Sequence, residues 1–297
     1  MEKQVPIDSS ARADLGKEDG IHEIADDLGY QRHAIVNVIY YGTPGSGARH
    51  WVLIDAGMPG SAGAIETAAG KRFSENAPPA AIILTHGHTD HVGGLQTLAE
   101  NWGVPIYAHP MEMPYLDGRS PYPPPDPSVG GGIMPTLSPL FGRGPIDVST
   151  WLRPLPEDGS VPHMPGWRWL HTPGHTPGHV SLWHEDDRTI IAGDAFITTN
   201  QESAYAVMTQ KEELHGPPTY FTTDWPAARR SVEMLAELQP ELAITGHGRA
   251  LRGPLMRNAL DTLARNFDRV AVPDHGRYVT EQARADETGV RYVPPES

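Results

Sequence analysis

The chain has 297 residues, 38% of them hydrophobic and seven of them tryptophan, enough apolar side chain to build a substantial core and to set disorder aside. A formal net charge of −14, with no dense Lys/Arg cluster to offset it, argues against nucleic-acid binding through phosphate contacts. Cysteine is absent, so disulfides and thiolate ligands are excluded, and any transition metal must be held by imidazole and carboxylate.

From the N-terminus, residues 1–30 read as a polar arm with one short helix. Residues 1–20 carry no apolar h-region of a signal peptide, and no later run approaches the roughly 20 apolar residues of a membrane span. The expectation is a soluble, cytoplasmic chain with no membrane partner. His33 to Tyr41 is rich in β-branched and aromatic residues and predicts a strand. A glycine-rich turn follows, then a strand from His50 to Ile54 that ends in Asp55-Ala56-Gly57. Asp55 has two readings, a cap of that turn or a carboxylate that orients a metal-bound histidine. Ser61 to Lys71 predicts a helix, and Ala80 to Leu84 a buried strand that runs into Thr85-His86-Gly87-His88-Thr89-Asp90-His91. Helical spacing returns from Val92 to Trp102, and Val104 to Ala108 is a short strand followed by His109.

Residues 111–165 differ in composition, with runs such as Tyr122-Pro123-Pro124-Pro125 that neither a helix nor a central strand can absorb. They read as a long ordered excursion that could wall an active site. Its apolar side chains, among them Met113, Tyr115 and Tyr122, suit an apolar substrate, packing against the fold, or a second copy in a homodimer. Regular structure resumes with strands at Trp167–Leu170, Val180–His184 and Arg188–Ala192, the last ending in Gly193-Asp194. Residues 199–222 are polar and irregular. Asp224 then caps a helix with Pro226 in its first turn, Leu242 to Thr245 is a strand ending in Gly246-His247-Gly248, and Pro254 to Phe267 is a helix. The tail, residues 273–297, reads as polar and peripheral. The order predicts one α/β domain over residues 1–297. Its two β-rich halves carry helices on the outside, so the sheets can pack face to face in an αβ/βα sandwich.

Three imidazoles and a carboxylate within six positions lie on a strand-to-helix turn, where open α/β sheets place their sites. Histidines two apart on such a turn can converge on one cation, and the Asp and His that follow can hold another. Three further strand ends carry donors: His175, Asp194 and His247. Local sequence alone leaves His171 and His179 as competitors of His175. Two hydrolytic metals about 3.5–4 Å apart each need about three protein ligands and shared water, and five histidines with two aspartates meet that demand.

With these residues the chain resembles the metallo-β-lactamase superfamily, whose signature is His-x-His-x-Asp-His followed by isolated His, Asp and His ligands. The match runs from Asp55 to His247 and implies the four-layer αβ/βα sandwich. Carried over, it implies that His86, His88 and His175 hold a first metal, that Asp90, His91 and His247 hold a second, and that Asp194 bridges them. The Gly-His-Thr-Pro-Gly pattern selects His175.

Two divalent cations, zinc before iron or manganese, would turn a bridging water into hydroxide that attacks a carbonyl or phosphoryl centre, with Asp90 orienting it and relaying a proton. Departures from the subfamilies narrow the substrate. No cysteine ligand is present, unlike two β-lactamase subclasses; the third uses only His and Asp but typically lacks a bridging aspartate such as Asp194, and the secretion signal usual for a resistance lactamase is missing, so amide hydrolysis is expected as a promiscuous activity at most. No basic glutathione-binding segment matches glyoxalase II. Lactonases of acyl-homoserines carry a tyrosine three residues after the bridging aspartate, where this chain has Ile197. The expected activity is hydrolysis of a small ester, thioester, lactone or related molecule. His109, Tyr115, Tyr205, Lys211 and His215 are candidate substrate contacts. The competing reading on the same fold is a one-iron sulfur dioxygenase using His86, His175 and Asp194.

Overall fold

A computed structural model describes residues 4–14, 20–129, 138, 142–199 and 213–295. In chain order it begins with a two-residue strand β1 (Val5–Pro6), β2 (His22–Ala25), β3 (Leu28–His33), β4 (Val36–Tyr41) and β5 (Val52–Ile54). Helix α1 (Ala62–Arg72), β6 (Ala81–Ile83), the single turn α2 (Thr89–Val92), α3 (Leu95–Trp102) and β7 (Ile106–Ala108) follow. The excursion contributes α4 (Met113–Leu116) and β8 (Leu152–Pro154). The second half is built from β9 (Trp167–His171), β10 (Val180–His184), β11 (Thr189–Gly193), β12 (Glu213–Leu214), α5 (Trp225–Glu237), β13 (Leu242–Thr245), β14 (Leu251–Arg252) and α6 (Gly253–Arg265). Beyond it lie α7 (Phe267–Val270), α8 (Arg277–Thr280) and the hairpin β15 (Arg284–Asp286)–β16 (Gly289–Tyr292).

Strands β2 to β8 form a seven-stranded sheet in sequence order, antiparallel through β5 and parallel from β5 to β8. The other large sheet has the order β14-β13-β11-β10-β9. Strand alternation sends each sheet's side chains to two different cores. Val52 and Ile54, Ala81 and Ile83 of the first sheet bury against Leu182, Ile191, Leu242 and Ile244 of the second. Between them, Leu53 and Ile82 point the other way, onto Ile65 of α1 and Leu95 and Leu98 of α3. On the far side Ile190, Ala192 and Ala243 pack on Val232, Leu235, Leu260 and Leu263 of α5 and α6. Three cores separate four layers, which is the αβ/βα sandwich that the element order predicts. No helix among the described residues is long and apolar enough to cross a membrane.

Two segments differ from the sequence reading. The expected polar arm instead supplies the hairpin β2–β3, whose Ile24, Leu28 and Tyr30 bury between the sheets; the described helical structure before β2 is one 3-10 turn, Ser9–Ala11. Nor is the tail peripheral. The Arg277 backbone amide donates to Asp126 Oδ2 at 2.5 Å, that of Val290 donates to Ser120 Oγ at 3.2 Å, and Tyr278 is buried, so the tail clasps the excursion. The excursion itself ends in β8, an edge strand that accommodates Pro154.

Candidate metal centre

Four strand ends meet at one rim of the sandwich. The turn after β6 delivers His86, His88, Asp90 and His91, the β9–β10 connection delivers His175, and the ends of β11 and β13 deliver Asp194 and His247. Donor atoms of His86, His88 and His175 lie within 4.8 Å of one another, as do those of His86, His91 and Asp194 and those of Asp90, His91 and His247. Asp194 is the joint. Its Oδ2 lies 3.5 Å from His175 Nε2, 3.6 Å from His91 Nε2 and 3.2 Å from His247 Nε2. The structure thus brings together all seven residues that the sequence singles out.

Four of the five rings are oriented from behind. His247 Nδ1 donates to the Ile35 carbonyl at 2.7 Å and His91 Nδ1 donates to Asp55 Oδ2 at 2.8 Å. The Thr85 hydroxyl donates to Asp55 Oδ2 at 2.7 Å and so accepts from His86 Nδ1 at 3.1 Å. By the same logic the Thr222 hydroxyl, donating to the Pro218 carbonyl at 2.7 Å, accepts from His175 Nδ1 at 3.4 Å. All four therefore turn Nε2 inward. His88 turns Nδ1 inward, 2.9 Å from His175 Nε2. His86 Nε2, His91 Nε2 and Asp194 Oδ1 are buried with no hydrogen-bond partner. Such orphans cost about 1–3 kcal/mol each, and metal cations held here would satisfy them. The residues fit a metal.

Charge divides the cluster. Burial, then the neighbouring imidazoles, push His86 and His175 well below the usual histidine range, and burial pushes His88 down to about 4. Burial also opposes charge on His91 and His247, but Asp194 and Asp90 outweigh it and raise both. Burial would raise Asp194, yet His247 and His91 hold it well below the carboxylate range. Without a metal, the two aspartates thus favour protons on His91 and His247, where a cation's charge would otherwise sit. Metal uptake should release those protons, so apparent affinity should rise with pH until it passes the raised histidine pKa values. Metal titration in buffers of different ionisation enthalpy measures the release.

Asp55 adopts a left-handed φ of 61° at the end of β5, which lets one carboxylate serve the whole turn after β6. It accepts from the Thr85 amide at 2.8 Å as well as from the Thr85 hydroxyl and His91. Asp55→Asn puts an amide N–H against one of these donors, and metal affinity should fall about 10–100-fold, as dialysis against a metal buffer would show.

The predicted substrate contacts spread out. His109 stacks on His171 at 4.3 Å, and burial, then His171, lower its pKa to about 4. Tyr115 stacks behind Tyr122 at 3.8 Å. His215 exchanges backbone hydrogen bonds with Ile197 at 3.1 and 3.0 Å. Tyr205 and Lys211 lie outside the described residues. The walls that do touch a donor are Tyr122 and Phe221, whose rings flank His88 at 4.6 and 4.7 Å.

His179, one of the two competitors of His175, supports the site from behind: its Nε2 accepts from the Asp194 amide at 2.9 Å. Sequence reasoning missed two other supports. Asn37 Nδ2 donates to the carbonyls of Thr245 and Gly248 at 2.9 and 2.7 Å, tying β4 to the His247 turn. Glu112 is a buried carboxylate between two loops; its only sequence signal is a charge among Met111, Met113 and Pro114.

Residues 34–247 match the family model of the metallo-beta-lactamase superfamily. Among curated proteins, the chain is 49% identical to "Probable metallo-hydrolase YflN" of Bacillus subtilis (strain 168), over 80% of this chain and 89% of that one. Among solved structures, "Rm3 metallo-beta-lactamase" is similar with a TM-score of 0.57 and 21% identity, covering 86% of this chain and 94% of the other. A second, "TTHA1623 in a di-iron-bound form", has a TM-score of 0.50 and 24% identity over 77% and 93% of the two chains.

Proposed function

Since the chain belongs to the metallo-β-lactamase superfamily, we propose that it is a dinuclear metallohydrolase of small esters, thioesters or lactones. His86, His88 and His175 would hold one divalent cation, Asp90, His91 and His247 the other, and Asp194 would serve both. The observation that carries this reading is the convergence of seven donors around orphaned buried atoms. When bound, two such cations supply Lewis acidity and make hydroxide available at neutral pH. Imidazole-rich donors make zinc the cation we propose.

The chain's own residues supply orientation and proton handling. Asp90 is the donor that water reaches: its side chain is 20% exposed, against 2% for Asp194 and 1% for His247. Its carboxylate is therefore placed to orient an attacking water and to pass a proton to the leaving group. Tyr122 and Phe221 exclude water from the sides of His88 and offer an apolar wall to an acyl chain. The net charge of −14 favours neutral or weakly charged substrates over polyanions. The test is turnover of an ester, thioester and lactone panel by chelated protein before and after zinc is returned. Turnover restored by zinc supports the reading; turnover indifferent to chelation overturns it.

A further inference from the structure

Glu112 lies just before α4, outside every element that carries a donor, yet it joins two of the donor turns. Its Oε2 accepts from the Gly87 amide at 3.0 Å and from the Tyr122 hydroxyl. Its Oε1 accepts from the Thr176 hydroxyl and the Gly178 amide, both at 2.8 Å. Gly87 separates His86 from His88 on the first sheet's turn, and Thr176 and Gly178 follow His175 on the second's. The residue is 1% exposed, so the four donors meet the carboxylate away from water, the Gly87 amide being shared with the Tyr122 hydroxyl at 2.9 Å. Both glycines are needed for this approach. A Cβ on Gly178 would sit 2.9 Å from Glu112 Oε1, and one on Gly87 would sit 2.7 Å from the Tyr122 hydroxyl.

We propose that Glu112 is the positioning residue that sets the spacing of His88 and His175, and so the geometry of the first metal site. This rests on the dinuclear reading above. The two nitrogens it governs are 2.9 Å apart and come from different sheets; a backbone bond, from the Val180 amide to the Thr85 carbonyl at 2.9 Å, joins the bases of the two turns, and Glu112 joins them again at Gly87, Thr176 and Gly178, beside the rings. A carboxylate is acceptor-only, which is what four converging donors require. Glutamine has the same size but turns an N–H₂ toward two of them. A residue that only fills space would tolerate that exchange; a residue that clamps by acceptance would not.

The experiment is zinc and cobalt titration of the chelated full chain as wild type, Glu112→Gln and Thr176→Val, with cobalt ligand-field spectra and apo-protein melting temperatures. Wild type should take up two metals. Glu112→Gln should weaken the first-site metal about tenfold or more and alter its cobalt bands, with second-site affinity unchanged. Thr176→Val, which removes one donor, should move the same site in the same direction by less. It carries the test alone if Glu112→Gln does not fold. First-site affinity unchanged, or both sites weakened in parallel with the apo melting temperature, overturns the proposal. A wild type that binds no metal would fail the metallohydrolase reading itself, and that control tells the two failures apart.

Discussion

Asp194→Ala is expected to strip the protein of metal and take turnover to background. Its Oδ2 is within 3.6 Å of imidazole nitrogens from three other segments, reaching His175 of one group of donors and His91 and His247 of the other. Outer hydrogen-bond partners of metal ligands cost about 10–100-fold in affinity when removed, and a ligand shared by two cations should cost more than that. Asp194 is also the carboxylate that most strongly opposes burial on His91 and His247, so its removal lowers the proton affinity of both rings. The apo variant should then take up fewer protons on acidification than the wild type. Elemental analysis after dialysis, with far-ultraviolet circular dichroism as the control for folding, measures the main effect. Metal retained at wild-type affinity would remove Asp194 from the bridging role.

Asp90→Asn is expected to lower turnover steeply while leaving the first group of donors intact. The side chain keeps its size and one oxygen, and Asp90 Oδ2 stands 3.4 Å from His247 Nε2 and 3.9 Å from His91 Nε2, within the second group of donors. An amide cannot carry a proton between water and leaving group. The rate constant kcat should fall about 10²–10⁴-fold, the range of positioned acid–base groups, while KM changes little. First-site metal should remain, because Asp90 groups with His91 and His247 rather than with His86, His88 and His175. A variant with kcat within a few-fold of wild type would assign proton handling to another group.

Several donors were legible because they follow short apolar strands, and a strand end fixes a side chain at the rim of a sheet; His175, four residues beyond β9, needed the family pattern to be chosen over His171 and His179. Ile82-Ile83-Leu84 before His86 and Leu242 to Thr245 before His247 are two such runs. The sandwich followed from the same strands, since Leu53 between Val52 and Ile54 already requires apolar surroundings on both faces. The hairpin β2–β3 was not legible. Asp26, Asp27 and Arg32 dominate its composition, and its burial depends on Ile24, Leu28 and Tyr30 meeting a sheet far away in sequence. Glu112 escaped for a related reason: no spacing rule marks a carboxylate whose four donors come from three distant segments.

The central claim is that seven convergent donors hold two hydrolytic metals. Metal content per chain, by elemental analysis of protein purified without added metal and then reconstituted, tests it most directly. The account predicts two divalent ions per chain, both removed by chelation and both required for turnover of the ester, thioester and lactone panel. One tightly held iron per chain, oxygen consumption with a persulfide and no hydrolysis would contradict it.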